Sequence, residues 1–132
     1  MKRALQIAIA AGGLVPVFAG LAGIILGASL AGQSRATDLD SHFRYLSGLL
    51  LGIGLAFWST IPGIESKGRM FQLLTAIVFI GGLARLYGVL IDGWPGTPMI
   101  CGLAMELVVT PLLCLWQALL ARRRSDAAVR SP

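Results

Sequence analysis

The chain has 132 residues, of which 56% are hydrophobic and 13% charged, with a formal net charge of +5 and a mean hydropathy of +0.80. A water-soluble domain of this length carries roughly a quarter charged residues, so the composition argues against one and for long apolar segments in a membrane. The basic residues gather at the chain ends and in one loop, without the interleaved aromatics of a nucleic-acid platform, so no nucleic-acid partner is expected.

The apolar runs predict four spans in chain order, over about 4–31, 43–61, 70–91 and 99–121. Each is long enough to cross a hydrocarbon core near 30 Å thick. The first has a basic start, "MKR", and small residues at "SLAG". Its apolar stretch far exceeds the roughly 7–15 residues of a secretory leader, so an uncleaved helix is expected. Pro16 and Pro111 fall inside spans, where neighbouring helices can satisfy the freed carbonyls. The predicted fold is all-α, a four-transmembrane-helix bundle. Residues 1–121 form a single membrane domain and 122–132 a basic tail, whose end "SDAAVRSP" is expected to be disordered.

Lys and Arg set the expected orientation. Eight of the 11 lie before the first span, between the second and third, and after the fourth (Lys2, Arg3, Lys67, Arg69, Arg122, Arg123, Arg124 and Arg130). The other side has Arg35, with Arg44 at its border. Positive-inside bias therefore puts both termini in the cytoplasm and the loops "GQSRATDLDSH" and "DGWPGTP" outside, with Trp94 as an interfacial anchor.

Catalytic motifs are absent: there is no phosphate-binding loop and no dinucleotide fingerprint. Cys101 and Cys114 lie on one predicted helix about 20 Å apart, too far to bridge. His42 is the single histidine, and without clustered Cys or His no metal site is expected. No cofactor can be named from the sequence.

Residues three, four and seven apart share a helix face. On the third span Gly81, Gly82, Arg85, Gly88 and Asp92 fall together. On the fourth, Gly102, Glu106, Thr110 and Gln117 do, on the second Arg44, Gly48, Gly52 and Ser59, and on the first Ala19, Gly23 and Gly27. Small residues let helices approach closely in lipid. Arg85 and Glu106 each lie about 9–10 Å below the outer ends of their spans. A lone charge at that depth costs several kcal/mol, so the two are expected to pair. Asp40, His42, Arg44, Tyr45, Tyr87 and Asp92 lie toward the same outer side. The expected site is an outward-opening pocket with Arg44, Arg85, Glu106, Asp92 and His42 as its polar residues and Gly48, Gly52, Gly82 and Gly88 as packing or pocket wall.

The runs "FRYLSGLLLGIGLAF", "GGLARLYGVLIDGWP" and "MELVVTPLL" resemble bacterial four-helix membrane proteins known as a domain of unknown function and grouped with DoxX-like proteins. The resemblance covers about 43–121, with a looser match in the first helix. It rests on the spacing of Arg44, Arg85, Glu106 and a turn, Gly93-Trp94-Pro95, that matches the family's Gly-x-Pro. It implies four helices and a bacterial inner membrane, and no activity.

Three functions follow as alternatives. The protein binds a small amphipathic molecule, a lipid or quinone, near Arg85 and Glu106; it is an accessory subunit of a larger membrane complex or a homo-oligomer; or it is a membrane enzyme with Glu106 as proton carrier. An Arg85 partner would hold the Glu106 proton affinity down, which weighs against the enzyme. Four spans with no visible internal repeat give no sign of a transporter.

Overall fold

The computed structural model describes residues 1–32 and 36–130, with backbone alone at 31 and 127–130. Arg35 therefore lies outside the described residues. All described elements are helical. They are α1 (Lys2–Leu26), a 3₁₀ turn (Gly27–Ala31), α2 (Thr37–Thr60), α3 (Gly68–Asp92), α4 (Thr97–Ala104), a π turn (Met105–Val109) and α5 (Thr110–Arg130). The last three follow one another without a break and make up the fourth helix. The chain divides into two units, residues 6–62 and residues 1–5 with 63–132.

Among the described residues, three helical stretches are long and apolar enough to cross a membrane: Lys2–Leu30, Gly68–Asp92 and Thr97–Asp126. The exception is α2, predicted as the second span. It has 24 residues, but Asp38 and Asp40 occupy its first turn and His42 and Arg44 its second, and it ends in Trp58-Ser59-Thr60. Its apolar middle is thus shorter than its helix. Large apolar side chains such as Ile25, Leu73, Ile80, Leu90 and Leu115 are exposed, while Ser47, Thr60, Thr75 and Gln117 are buried. That inversion suits a solvent of lipid tails, which offers apolar side chains what a protein core does.

In the 6–62 unit α1 packs on α2 through glycines. A β-carbon on Gly20 would lie 2.7 Å from the Leu51 backbone nitrogen and 2.8 Å from the Ser47 carbonyl oxygen. Gly23 meets the Ser47 hydroxyl and Gly13 the Trp58 indole. Of the predicted stripe on the first span, Gly23 and Gly27 lie on this packing face, whereas Ala19 is exposed and Gly20 packs in its place. Two polar side chains fasten the other end of this pair: Trp58 Nε1 donates to the Ala10 carbonyl at 3.1 Å and Gln6 Nε2 to the Ile61 carbonyl at 2.8 Å.

In the second unit, Leu5, Ile64 and Phe71 are fully buried. Gln117 beside them donates to the Ile64 carbonyl at 2.9 Å, with Gly68 leaving room for its amide. The helix α3 ends at Gly93, whose φ of +90° is cheap only for glycine, and Pro98 in the first turn of α4 starts the next helix. The expected disordered tail is instead helical to Arg130. The stretch Ala121–Arg130 is rich in Ala and Arg, strong helix formers, and has neither Gly nor Pro to stop it.

Candidate functional site

Arg85 projects from the fifth turn of α3, four residues after Gly81 and three after Gly82. Gly82 is buried, and a β-carbon there would lie 2.9 Å from Glu106 Cβ, so the glycine lets the fourth helix come close enough for a short side-chain contact. Across that gap Arg85 Nε donates to Glu106 Oε2 and Nη2 to Oε1, both at 3.0 Å. This is a two-pronged fork, the strongest geometry available to a guanidinium and a carboxylate. The third nitrogen, Nη1, reaches Met99 Sδ at 3.0 Å. The Arg85 side chain is 35% exposed and Glu106 17%.

Glu106 stands in the π turn, and Pro111 is the reason for that turn. Proline has no N–H and its ring crowds the carbonyl four residues back, here Leu107. The helix widens, and the Thr110 N–H bonds the carbonyl of Met105, five residues back. The Thr110 hydroxyl donates to the same oxygen at 2.8 Å. The Glu106 carbonyl loses its α-helical donor to Met105, and its π-helical donor would be proline. Turns of this kind recur at functional sites, and this one sets the direction of the Glu106 side chain.

Between the fork and the turn at Gly93 lies a pocket of about 300 Å³ lined by Arg85, Gly88, Val89, Asp92, Gly93, Pro95 and Met99. Nothing stands within 4 Å of a β-carbon placed on Gly88, so that wall is open. Of the predicted polar residues, Arg85 and Asp92 line this pocket, and Glu106 lies behind Arg85 and holds it. Gly82 packs against Glu106 and Leu107 and is not among the residues lining this pocket.

Arg44 belongs to the 6–62 unit, where it has a different set of partners. Its Nε donates to Asp40 Oδ2 at 2.7 Å, and Nη1 donates to the carbonyls of Ile24 and of Ile25, the latter at 3.1 Å. Asp40 Oδ1 in turn accepts the Ala28 N–H at 2.8 Å. These two residues, one turn apart on α2, satisfy the orphan backbone groups where α1 gives way to the 3₁₀ turn. Gly27 has φ +63° at that break, and a β-carbon on it would run into Asp40 Oδ1. Within its own unit Arg44, expected at the polar end of a pocket, caps the end of α1 with Nε and Nη1. Gly48 and Gly52, expected as pocket wall, have nothing within 4 Å of a β-carbon, and His42 is exposed on the same helix.

Sequence reasoning missed Met99, although it lies seven residues before Glu106 and so shares its face. Among the described residues no group of His, Cys, Asp and Glu could hold a metal ion, and Cys101 and Cys114 are free.

No curated protein and no solved structure matches the chain, so a grouping with DoxX-like proteins rests on the sequence resemblance alone. A family model covers most of it, from residue 4 to residue 117, and the chain accordingly belongs to the family described as Domain of unknown function (DUF4345).

Proposed function

We propose that this is a bacterial inner-membrane protein with four spans and both termini in the cytoplasm. In this reading it binds a small amphipathic molecule, a lipid or quinone, in the outer pocket, with the polar end at Arg85. The observation that carries the reading is the state of the Arg85 guanidinium. Glu106 takes Nε and one N–H of Nη2 and neutralises the charge, leaving an N–H on each of Nη1 and Nη2 for another acceptor. A neutral carbonyl suits those donors better than an anion, which would meet no net positive charge and would face Asp92. A quinone or ester carbonyl is therefore the favoured head group, with its apolar remainder along Gly88 and Val89.

The enzyme alternative is weaker. Glu106 has both oxygens engaged by Arg85 and would have to give up a fork bond to take a substrate proton. The accessory-subunit alternative keeps one specific support: Gly48 and Gly52 form a small-xxx-small pair on α2 with no neighbour within 4 Å, a face a further membrane helix could cover.

The test is purification in a mild detergent followed by native mass spectrometry of wild type and Gly88→Leu. Leucine has room at position 88 and fills the pocket. Loss of a bound small molecule from the folded variant supports the site, and a folded variant that still carries the molecule overturns it.

A further inference from the structure

The opposite end of the 63–132 unit carries a second, differently charged arrangement. Glu65, in the turn before α3, accepts from Lys2 Nζ at 2.9 Å and from Arg124 Nη1 at 3.0 Å, both on Oε2. Arg123 Nη1 reaches Met1 Sδ at 3.4 Å, one residue from Lys2. One carboxylate thus draws together the start of the chain, the turn before α3 and the far end of the fourth helix. Two cations share one anion and Arg123 stands next to one of them in the chain, so the cluster retains a positive excess. Its geometry points outward: Glu65 is 17% exposed, while Lys2 and Arg124 remain 45% and 65% exposed.

Depth identifies what those groups meet. A hydrocarbon core of about 30 Å takes about 20 residues of helix, so a crossing that starts at Thr97 leaves the core near Gln117. Arg123 and Arg124 then stand roughly 10 Å further on, at the level of phospholipid phosphates. We infer that Lys2 and Arg124, gathered by Glu65, and Arg123, held against Met1, form a binding site for the phosphate of an anionic phospholipid. The site rests on the membrane reading of the chain but not on the Arg85 pocket. Arginine forks match phosphate oxygens, and the free lysine N–H groups add a third donor direction. A zwitterionic lipid would bring a choline cation into the same positive cluster and is disfavoured.

The test uses the full-length protein in a mild detergent, supplied with phosphatidylglycerol, phosphatidylcholine or inorganic phosphate and read by native mass spectrometry. The expected result is one tightly retained phosphatidylglycerol, lost roughly tenfold more readily from Arg123→Gln/Arg124→Gln, and kept within about twofold in Arg3→Gln/Arg69→Gln, which removes the same charge at neighbouring positions. Equal losses in the two double variants would reduce the effect to diffuse attraction and overturn the site. Equal retention of phosphatidylcholine would overturn its anionic selectivity. Inorganic phosphate that binds with the same variant sensitivity would show a site for a free anion and overturn the lipid assignment. If the first double variant does not fold, salt decides with wild type alone: retention that does not fall between low and high ionic strength overturns the proposal. Gly88→Leu leaves this lipid in place, so failure here and failure of the outer pocket are told apart.

Discussion

Gly82 on α3 lies directly against Glu106 on the fourth helix: a β-carbon at position 82 would come 2.9 Å from Glu106 Cβ and 2.7 Å from Leu107 Cδ2. The absence of a side chain at one residue is what allows the charged fork at another. Glu106 Cβ is anchored to its helix and cannot swing aside. Gly82→Ala should therefore push the two helices apart, lengthen the Arg85–Glu106 bonds and cost about 1–3 kcal/mol. Thermal unfolding in lipid measures this, and a variant as stable as wild type would mean that the close approach is dispensable.

Glu106→Gln should destabilise by roughly 1–3 kcal/mol, because it leaves Arg85 in lipid without a countercharge. Replacing both residues together, as Arg85→Leu/Glu106→Leu, should recover most of that loss, since a matched apolar pair needs no countercharge. If the pair serves a ligand, the double variant is stable and empty. Stability and bound mass, measured on the same samples, separate the two roles.

The glycines of the 6–62 unit should fall into two classes. Gly27→Ala forces a left-handed φ on alanine and drives its β-carbon into Asp40, so a loss of at least about 1 kcal/mol is expected. Gly48→Ala, in a helix with open space around it, should be neutral or gain roughly 0.5–1 kcal/mol from helix propensity. A clear loss at Gly48, seen only in the native membrane, would reveal a partner helix on that face.

Glu65 lies outside the spans. The hydrogen bond from Lys2, with the charges of Lys2 and Arg124 behind it, holds its carboxyl below the usual glutamate range despite partial desolvation. A carboxyl lowered in the folded state contributes stability above its unfolded value of about 4.3, and loses that contribution as pH falls through the folded value. The unfolding midpoints of wild type and Glu65→Gln should therefore differ at pH 7 and converge as pH drops below 4. A difference that stays constant down to pH 3 would show that the Lys2–Glu65–Arg124 contact adds nothing through charge.

The sequence by itself determined the helical class, the apolar character and the pairing of Arg85 with Glu106. All three follow from local rules: run length, the 3.6-residue period and the cost of a lone charge in lipid. The second helix was legible as a helix and reads as a span in sequence, but the charges of its first two turns leave its apolar middle shorter than the helix itself. The three-dimensional structure decided which charge serves which purpose. Arg44 and Arg85 look alike in sequence, each in a glycine-rich stripe near one end of its helix. Only the break of α1 at Gly27, which exposes the carbonyls of Ile24 and Ile25, turns Arg44 into a helix cap. The π turn forced by Pro111 likewise aims Glu106, and Glu65 gains its meaning only when residues 63 and 59 positions away in the chain arrive at its side. Face and depth are periodic properties that a reader can count along a chain, whereas a partner depends on where the backbone breaks its period and which distant segment folds back to it.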